Sequence, residues 1–303
     1  MPASSDLIDQ LETLVSEGRN PRTMNLDILP TLDMLRLINS EDQKVAIAIQ
    51  GALEDIAEAV EKTVRSIRQG GRLIYIGAGT SGRLGVLDAV ECRPTFSVPD
   101  SLVVGLIAGG ESALTSAVEG AEDNAQAGKQ DLIDLQLNHN DIVVGIAASG
   151  RTPYVIGALN YANEQACESV CVVCNPNSPL IEIAKTSICI EVGPECLSGS
   201  TRMKSGTAQK LVLNMLSTAT MVKLGKVYEN LMVDVNASNK KLEARALRIV
   251  MQATQCSIEQ ATSALSAAEQ QVKLAILMIM TNTDPVTAQH MLDEAKGFVR
   301  KAI

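Results

Sequence analysis

Five short runs that are almost continuously apolar constrain this chain most: RLIYIG at 72–77, LVVGLIA at 102–108, DIVVGIAA at 141–148, SVCVVC at 169–174 and SICIEV at 187–192. Runs of this length with no polar face read as strands covered on both sides. The gaps after the first three are long enough for crossover helices, expected at 82–90, 113–128 and 153–166. Strand, helix, strand repetition predicts an α/β fold with a doubly wound, parallel five-stranded sheet in an αβα arrangement. In such sheets ligands lie beyond the carboxyl ends of the strands.

The flanks are helical. Leu53, Ile56, Val60, Val64 and Ile67 recur at helical spacing and Gly70-Gly71 stops the pattern. A helix at about 204–224 carries Leu211, Met215, Ala219 and Val222 on one face. Beyond Asn239 the chain turns rich in Ala, Gln and Glu; Ser257 with Gln260 is a capping-box pattern, and Asp284-Pro285 supplies an N-cap followed by proline. The expected organisation is an N-terminal helical segment over 1–50, a ligand-binding domain over 51–239 and a small, UBA-like helical domain over 240–303.

Composition narrows the partners. A chain of 303 residues that is 46% hydrophobic and 20% charged can bury a sizeable core. Aromatic residues make up only 2% and Trp is absent, so no platform exists for stacking bases. A net charge of −9 and a pI near 4.9 also argue against nucleic acid. The first residues lack a basic region followed by an apolar stretch, and LAILMIM at 274–280 is too short to span a bilayer, so a cytoplasmic chain with no membrane partner is expected.

Metal chemistry finds no foothold. Cys167, Cys171 and Cys174 have a spacing used for iron–sulfur clusters, but the last two sit in an apolar strand and read as core thiols, as do most of the seven cysteines. His139 and His290 have no ligand partners nearby and read as surface residues. No metal or other cofactor is expected, and acid–base work falls to carboxylates.

GAGTSG at 77–82 admits three readings: a dinucleotide site, an anion cradle for a phosphorylated small molecule, or a tight strand-to-helix turn. A dinucleotide site also wants an acidic residue ending the second strand, where this chain has small residues before Glu111. The later loop AASGRTP repeats SGR and places Ser149, Gly150 and Thr152 at a helix start, where amide groups and the helix dipole favour an anion. The alternative for these hydroxyls is simple helix capping. A third stretch at 198–210 adds Ser200, Thr201, Arg202, Lys204 and Lys210 around a helix start, a local cationic cluster that asks for an anion. Glu91, at the end of the helix that begins in the first loop, and Glu122, after the second strand, stand out by position, with Glu119 and Asp123 competing with Glu122.

The two loops resemble those of sugar isomerase (SIS) domains, whose Ser/Thr loops hold a sugar phosphate. Within that superfamily SEGRNPRT at 16–23, INSEDQ at 38–43, GAGTSGRLGVLDAVECRPTF at 77–96, AGGESA at 108–113, AVEGAEDN at 117–124, GIAASGRTPYV at 145–155, GSTRMKSGTAQKLVLNMLSTA at 199–219 and GKVYENLMVDV at 225–235 are similar to the N-acetylmuramic acid 6-phosphate etherase family. The resemblance implies a carbon–oxygen lyase that removes D-lactate from an N-acetylmuramyl sugar phosphate during cell-wall amino-sugar recycling, without metal or nicotinamide, in a homodimer. It implies that Glu91 and Glu122 carry the proton transfers, Glu91 as proton donor. It places Gly79, Thr80, Ser81, Ser149, Gly150, Arg151 and Thr152 around the phosphate, with Ser200 and Lys204 in support. Arg93 stands where the family has Pro, Ser198 where it has Thr and Ser205 where it has Ala. Two other functions use such loops: a sugar-phosphate-binding regulator and an aldose–ketose isomerase.

Overall fold

The computed structural model describes residues 14–234 and 240–303. Residues 1–13 of the N-terminal helical segment expected over 1–50 lie outside the described residues, as do residues 235–239 at the expected domain boundary. The described chain divides into two compact units. One comprises the residues up to Ala89 together with Ser101–Leu216, and the other Val90–Asp100 together with Ser217–Ile303.

In the first unit, helices α1 (Thr31–Ala48) and α2 (Leu53–Arg68) precede the sheet. The five strands are β1 (Leu73–Gly77), β2 (Val103–Ile107), β3 (Ile142–Ile146), β4 (Glu168–Val173) and β5 (Thr186–Cys189), each within a residue or a few of its apolar run. All pair in parallel, in the order β2-β1-β3-β4-β5. Every residue of β1 and β3 is buried, which explains why their sequences lack a polar face. Ile74, Ile76, Val143, Tyr154, Leu159 and Cys171 share one core on a face of the sheet.

Helix α3 (Gly79–Phe96) follows β1, α4 (Ala125–Asp134) follows β2, α5 (Pro153–Glu164) follows β3 and the short α6 (Pro179–Ile183) follows β4. Strand order reverses between β1 and β3, because the chain leaves β1 towards β2 and returns on its other side. The opposite ends of these two strands are tied together by Asp141. Its buried carboxylate accepts from the Arg72 backbone N–H at 2.8 Å and from the Arg72 guanidinium at 2.6 Å.

Two elements differ from the sequence expectation. The helix expected over 113–128 is replaced by 3-10 turns at Glu111–Leu114 and Ala121–Asp123 before α4 begins. Gly110 at φ 69° and Gly120 at φ 71° are left-handed and break the helix, and Asn124 then caps α4 by accepting from the Ala127 N–H. Helix α3 is longer than the expected 82–90. Pro94 has no N–H to give the preceding turn, yet the helix runs to Phe96 and ends only where Ser97 turns left-handed at φ 49°.

Helix α7 (Lys204–Lys223) closes the described elements of the first unit and continues into the second. The second unit adds a small antiparallel hairpin, β6 (Val227–Tyr228) with β7 (Leu231–Met232), which the sequence reading missed. It then contains helices α8 (Lys240–Thr254), α9 (Ile258–Ala267), α10 (Val272–Thr281), α11 (Pro285–Glu294) and α12 (Val299–Ala302). The LAILMIM run lies in α10, whose residues 272–277 are all buried at the centre of this bundle. Its apolar character is that of a core helix. The Ser257–Gln260 capping box and the Asp284 N-cap both form. Among the described residues no helix is long and apolar enough to cross a membrane.

Candidate active site

Strands β1 and β3 lie side by side, so the loops that leave their carboxyl ends flank the point where the strand order reverses. That crevice is where open α/β sheets take their ligands. It brings GAGTSG and AASGRTP to the same sheet edge.

The first loop is built on close backbone approach. A Cβ on Gly82 would stand 2.6 Å from the Gly77 carbonyl oxygen and 2.6 Å from Ile107, so the turn closes only on glycine. Gly79 adopts φ +53°, and α3 starts there without a linker. Thr80 is half-buried, and Ser81 is buried. The Ser81 hydroxyl donates to Oε1 of Gln209 on α7 at 2.8 Å. Arg83 of the first SGR gives Nε to the Leu114 carbonyl at 3.1 Å and a terminal nitrogen to the Ser116 carbonyl at 3.3 Å. It thereby fastens the segment that leads to Glu122.

The second loop has the same construction. Gly150 is left-handed at φ +65° and packs against Ser178, and its carbonyl accepts from the Leu180 N–H at 3.2 Å. Ser149 Oγ accepts from the Arg151 backbone N–H at 3.2 Å, and an Arg151 guanidinium nitrogen reaches the Asn177 carbonyl at 3.4 Å. Thr152 is the N-cap residue of α5, but its side chain makes no capping bond. Capping therefore does not account for that hydroxyl.

The third stretch is engaged internally. Glu195, fully buried, caps α7 by accepting the backbone N–H groups of Lys204 and Ser205 at 2.9 Å each. Lys204, only 1% exposed, gives its ammonium to Glu41 at 3.0 Å and to the Val192 carbonyl at 2.8 Å. The anion that this cation requires is thus Glu41 of the same unit, and in this arrangement Lys204 presents no free charge to a ligand. Ser200 is half-buried just ahead of α7, while Arg202 and Lys210 are exposed.

Glu122 lies in the 3-10 turn Ala121–Asp123 and is exposed. Glu91 is exposed on the latter half of α3, in the segment Val90–Asp100 that belongs to the second unit. Arg93 pairs with Asp100. The cysteines form no disulfides among the described residues. Cys92, Cys167, Cys171, Cys174 and Cys196 are buried and Cys189 and Cys256 partly so, while His139 and His290 are exposed.

The chain is 59% identical over 297 residues to the N-acetylmuramic acid 6-phosphate etherase of Vibrio atlanticus (strain LGP32), covering 98% of this chain and 97% of that one. The chain belongs to the N-acetylmuramic acid 6-phosphate etherase family. The family member of Rhizobium rhizogenes (strain K84 / ATCC BAA-868) is also 59% identical, over 98% of this chain and 97% of its own length. Residues 55–163 match the model of the glucokinase regulatory protein N-terminal SIS domain. A phosphoheptose isomerase structure from Francisella tularensis superposes with a TM-score of 0.50 at 16% identity, covering 64% of this chain and 100% of that one, and shows the shared SIS-like fold. The etherase family relationship runs over both units, whereas the SIS-domain match ends within α5.

Sequence reasoning did not single out Gln209, Glu41, Glu195 or Ser178. Gln209 and Glu41 stand inside two of the family-like blocks, MKSGTAQK and INSEDQ. Nothing in either block distinguishes a buried polar partner from a solvated one.

Proposed function

We propose that the chain is a carbon–oxygen lyase that cleaves the D-lactyl ether of N-acetylmuramate 6-phosphate, giving N-acetylglucosamine 6-phosphate and D-lactate. The observation that carries the reading is the 59% identity to named etherases over nearly the whole of both chains. The site is consistent with it: two glycine-tight hydroxyl loops flank the β1/β3 reversal. The phosphate sits between them, taking Ser81, Ser149 and Thr152 with backbone groups at Gly79, Thr80, Gly150 and Arg151, and Ser200 lies at the margin.

Chemistry follows from the substrate. In the open-chain sugar the aldehyde acidifies the proton on carbon 2, which a carboxylate removes as lactate leaves carbon 3 with a proton from an acid. Water then adds across the double bond. We assign Glu91 as the acid that protonates the departing lactate oxygen and then activates the water, and Glu122 as the base at carbon 2. Both carboxylates are exposed in the single chain, where a bound sugar can reach them. A homodimer in the cytoplasm, serving peptidoglycan recycling, completes this reading.

Purified protein incubated with N-acetylmuramate 6-phosphate is expected to release D-lactate. A second reading has one specific support, the match of residues 55–163 to the SIS domain of a regulatory protein. Sugar-phosphate binding with no lactate release would favour that regulator and overturn the lyase.

A further inference from the structure

Gln209 is 1% exposed, and its amide is only half used. Oε1 accepts the Ser81 hydroxyl at 2.8 Å, while Nε2 is buried with no hydrogen-bond partner. An apolar side chain of the same length would fill this space without leaving a donor unpaired. The placement is also not loose. Gly206, one turn earlier on α7, brings the Cβ position to 3.3 Å from the Thr80 methyl, so the helix meets residues 80 and 81 of the first loop with residues 206 and 209 in succession. The N-terminus of α7 is held by Glu195, and Lys204 within it by Glu41.

The hydroxyl of Ser81 has a single proton. Directed at Oε1 of Gln209, that proton is unavailable to a phosphate, which offers acceptors only. A primary amide resolves this, because it carries an acceptor and two donors on one planar group. With the amide turned over, Nε2 donates to Ser81 Oγ and the Ser81 proton is free to point at an anionic oxygen. We propose that Gln209 is a positioning residue, an amide switch that aims the Ser81 hydroxyl at the phosphate of the bound sugar. The inference rests on the placement of the phosphate at the first loop under the proposed function.

Gln209→Met keeps the length and volume and removes both hydrogen-bonding groups. Calorimetric titration with inorganic phosphate and with N-acetylglucosamine 6-phosphate, alongside steady-state turnover, is the test. The Kd and KM of Gln209→Met are expected to rise roughly tenfold with kcat nearly unchanged. Because Gln209 acts through Ser81, the double variant Ser81→Ala/Gln209→Met is expected to bind no more weakly than Ser81→Ala alone. A residue that merely packs would instead add its loss to that of Ser81→Ala.

Wild-type affinity in Gln209→Met, or additive losses in the double variant, would overturn the inference while leaving the lyase reading intact. Wild-type protein that binds no sugar phosphate would overturn both. Should Gln209→Met not fold, Gln209→Glu decides: it retains the acceptor for Ser81, lacks the donor and adds a charge, so it is expected to bind phosphate more than tenfold more weakly than wild type. Unchanged affinity in that variant would be fatal.

Discussion

Glu41 and Lys204, 163 residues apart in sequence, meet at 3.0 Å with each side chain only 1% exposed. Glu41 also accepts from Asn20 at 3.0 Å and pairs with Lys44 and Arg22. Burial alone would raise its pKa, but the bonds from Lys44, Lys204 and Asn20 and the charge of Lys204 outweigh it and hold the carboxyl pKa down from 4.5 to about 2. A folded value below the unfolded one means that the stabilisation is complete above pH 4.5 and lost as pH falls towards 2. A shift of this size corresponds to about 3 kcal/mol. Glu41→Gln is expected to lower unfolding free energy at neutral pH by about 3–5 kcal/mol, since it strands the buried ammonium, and to flatten the loss between pH 4.5 and 2. Urea unfolding of both proteins across that range measures it. Parallel slopes would show that Glu41 is not the titrating group.

The second loop makes a steric prediction. Ala at Gly150 would have to accept φ +65° and a Cβ 2.2 Å from Ser178 Oγ. Gly70, at φ +81°, has nothing within 4 Å of its Cβ position and serves as the control. Gly70→Ala should cost only the left-handed strain, about 1–2 kcal/mol, whereas Gly150→Ala should cost at least about 1 kcal/mol more from overpacking and should weaken sugar-phosphate binding. Equal melting shifts in the two variants would contradict the packing described for Gly150.

The thiols are expected to be inert. Burial pushes Cys174 up to about 12 and, with the nearby charge of Asp141, Cys167 up to about 11; burial raises Cys171 as well. Since the thiolate is the reactive form, a thiol reagent at pH 8 should leave these three unmodified until denaturant is added. Fast labelling of Cys167 or Cys174 in native protein, located by peptide mapping, would be inconsistent with their place in the core.

The central strands were legible because a strand covered on both faces has nothing to mark but apolar side chains, and β1 and β3, buried at every residue, obey that rule. The capping box at Ser257 and the N-cap at Asp284 were legible for a similar reason: both involve residues a turn apart. What failed to show was set by backbone or by distance. Gly110 and Gly120 break the helix expected after β2 through left-handed φ values that a sequence does not print. Pro94 does not end α3 where a proline invites a stop. Lys204 read as a free cation because Glu41, its partner, is remote in sequence. The Ser81–Gln209 bond spans 128 residues and joins two otherwise ordinary polar side chains. Ser81, Ser149 and Thr152 stand out in the sequence because the glycines beside them mark close backbone turns.

Glu91→Gln keeps the size of the side chain and removes its acid. It is expected to abolish lactate release while leaving N-acetylglucosamine 6-phosphate affinity close to that of wild type, as read by titration and by a lactate assay on the same preparation. An active Glu91→Gln would move the proton-donor role to another group, and a loss of binding equal to the loss of turnover would make Glu91 a binding residue instead.

Turnover of N-acetylmuramate 6-phosphate in water enriched in oxygen-18 and deuterium, with both products examined by mass spectrometry, tests the elimination most directly. Cleavage at carbon 3 followed by water addition predicts oxygen-18 at carbon 3 of the sugar, deuterium at carbon 2 and no oxygen-18 in lactate. Label in the lactate hydroxyl, or a ketose phosphate in place of N-acetylglucosamine 6-phosphate, would contradict it.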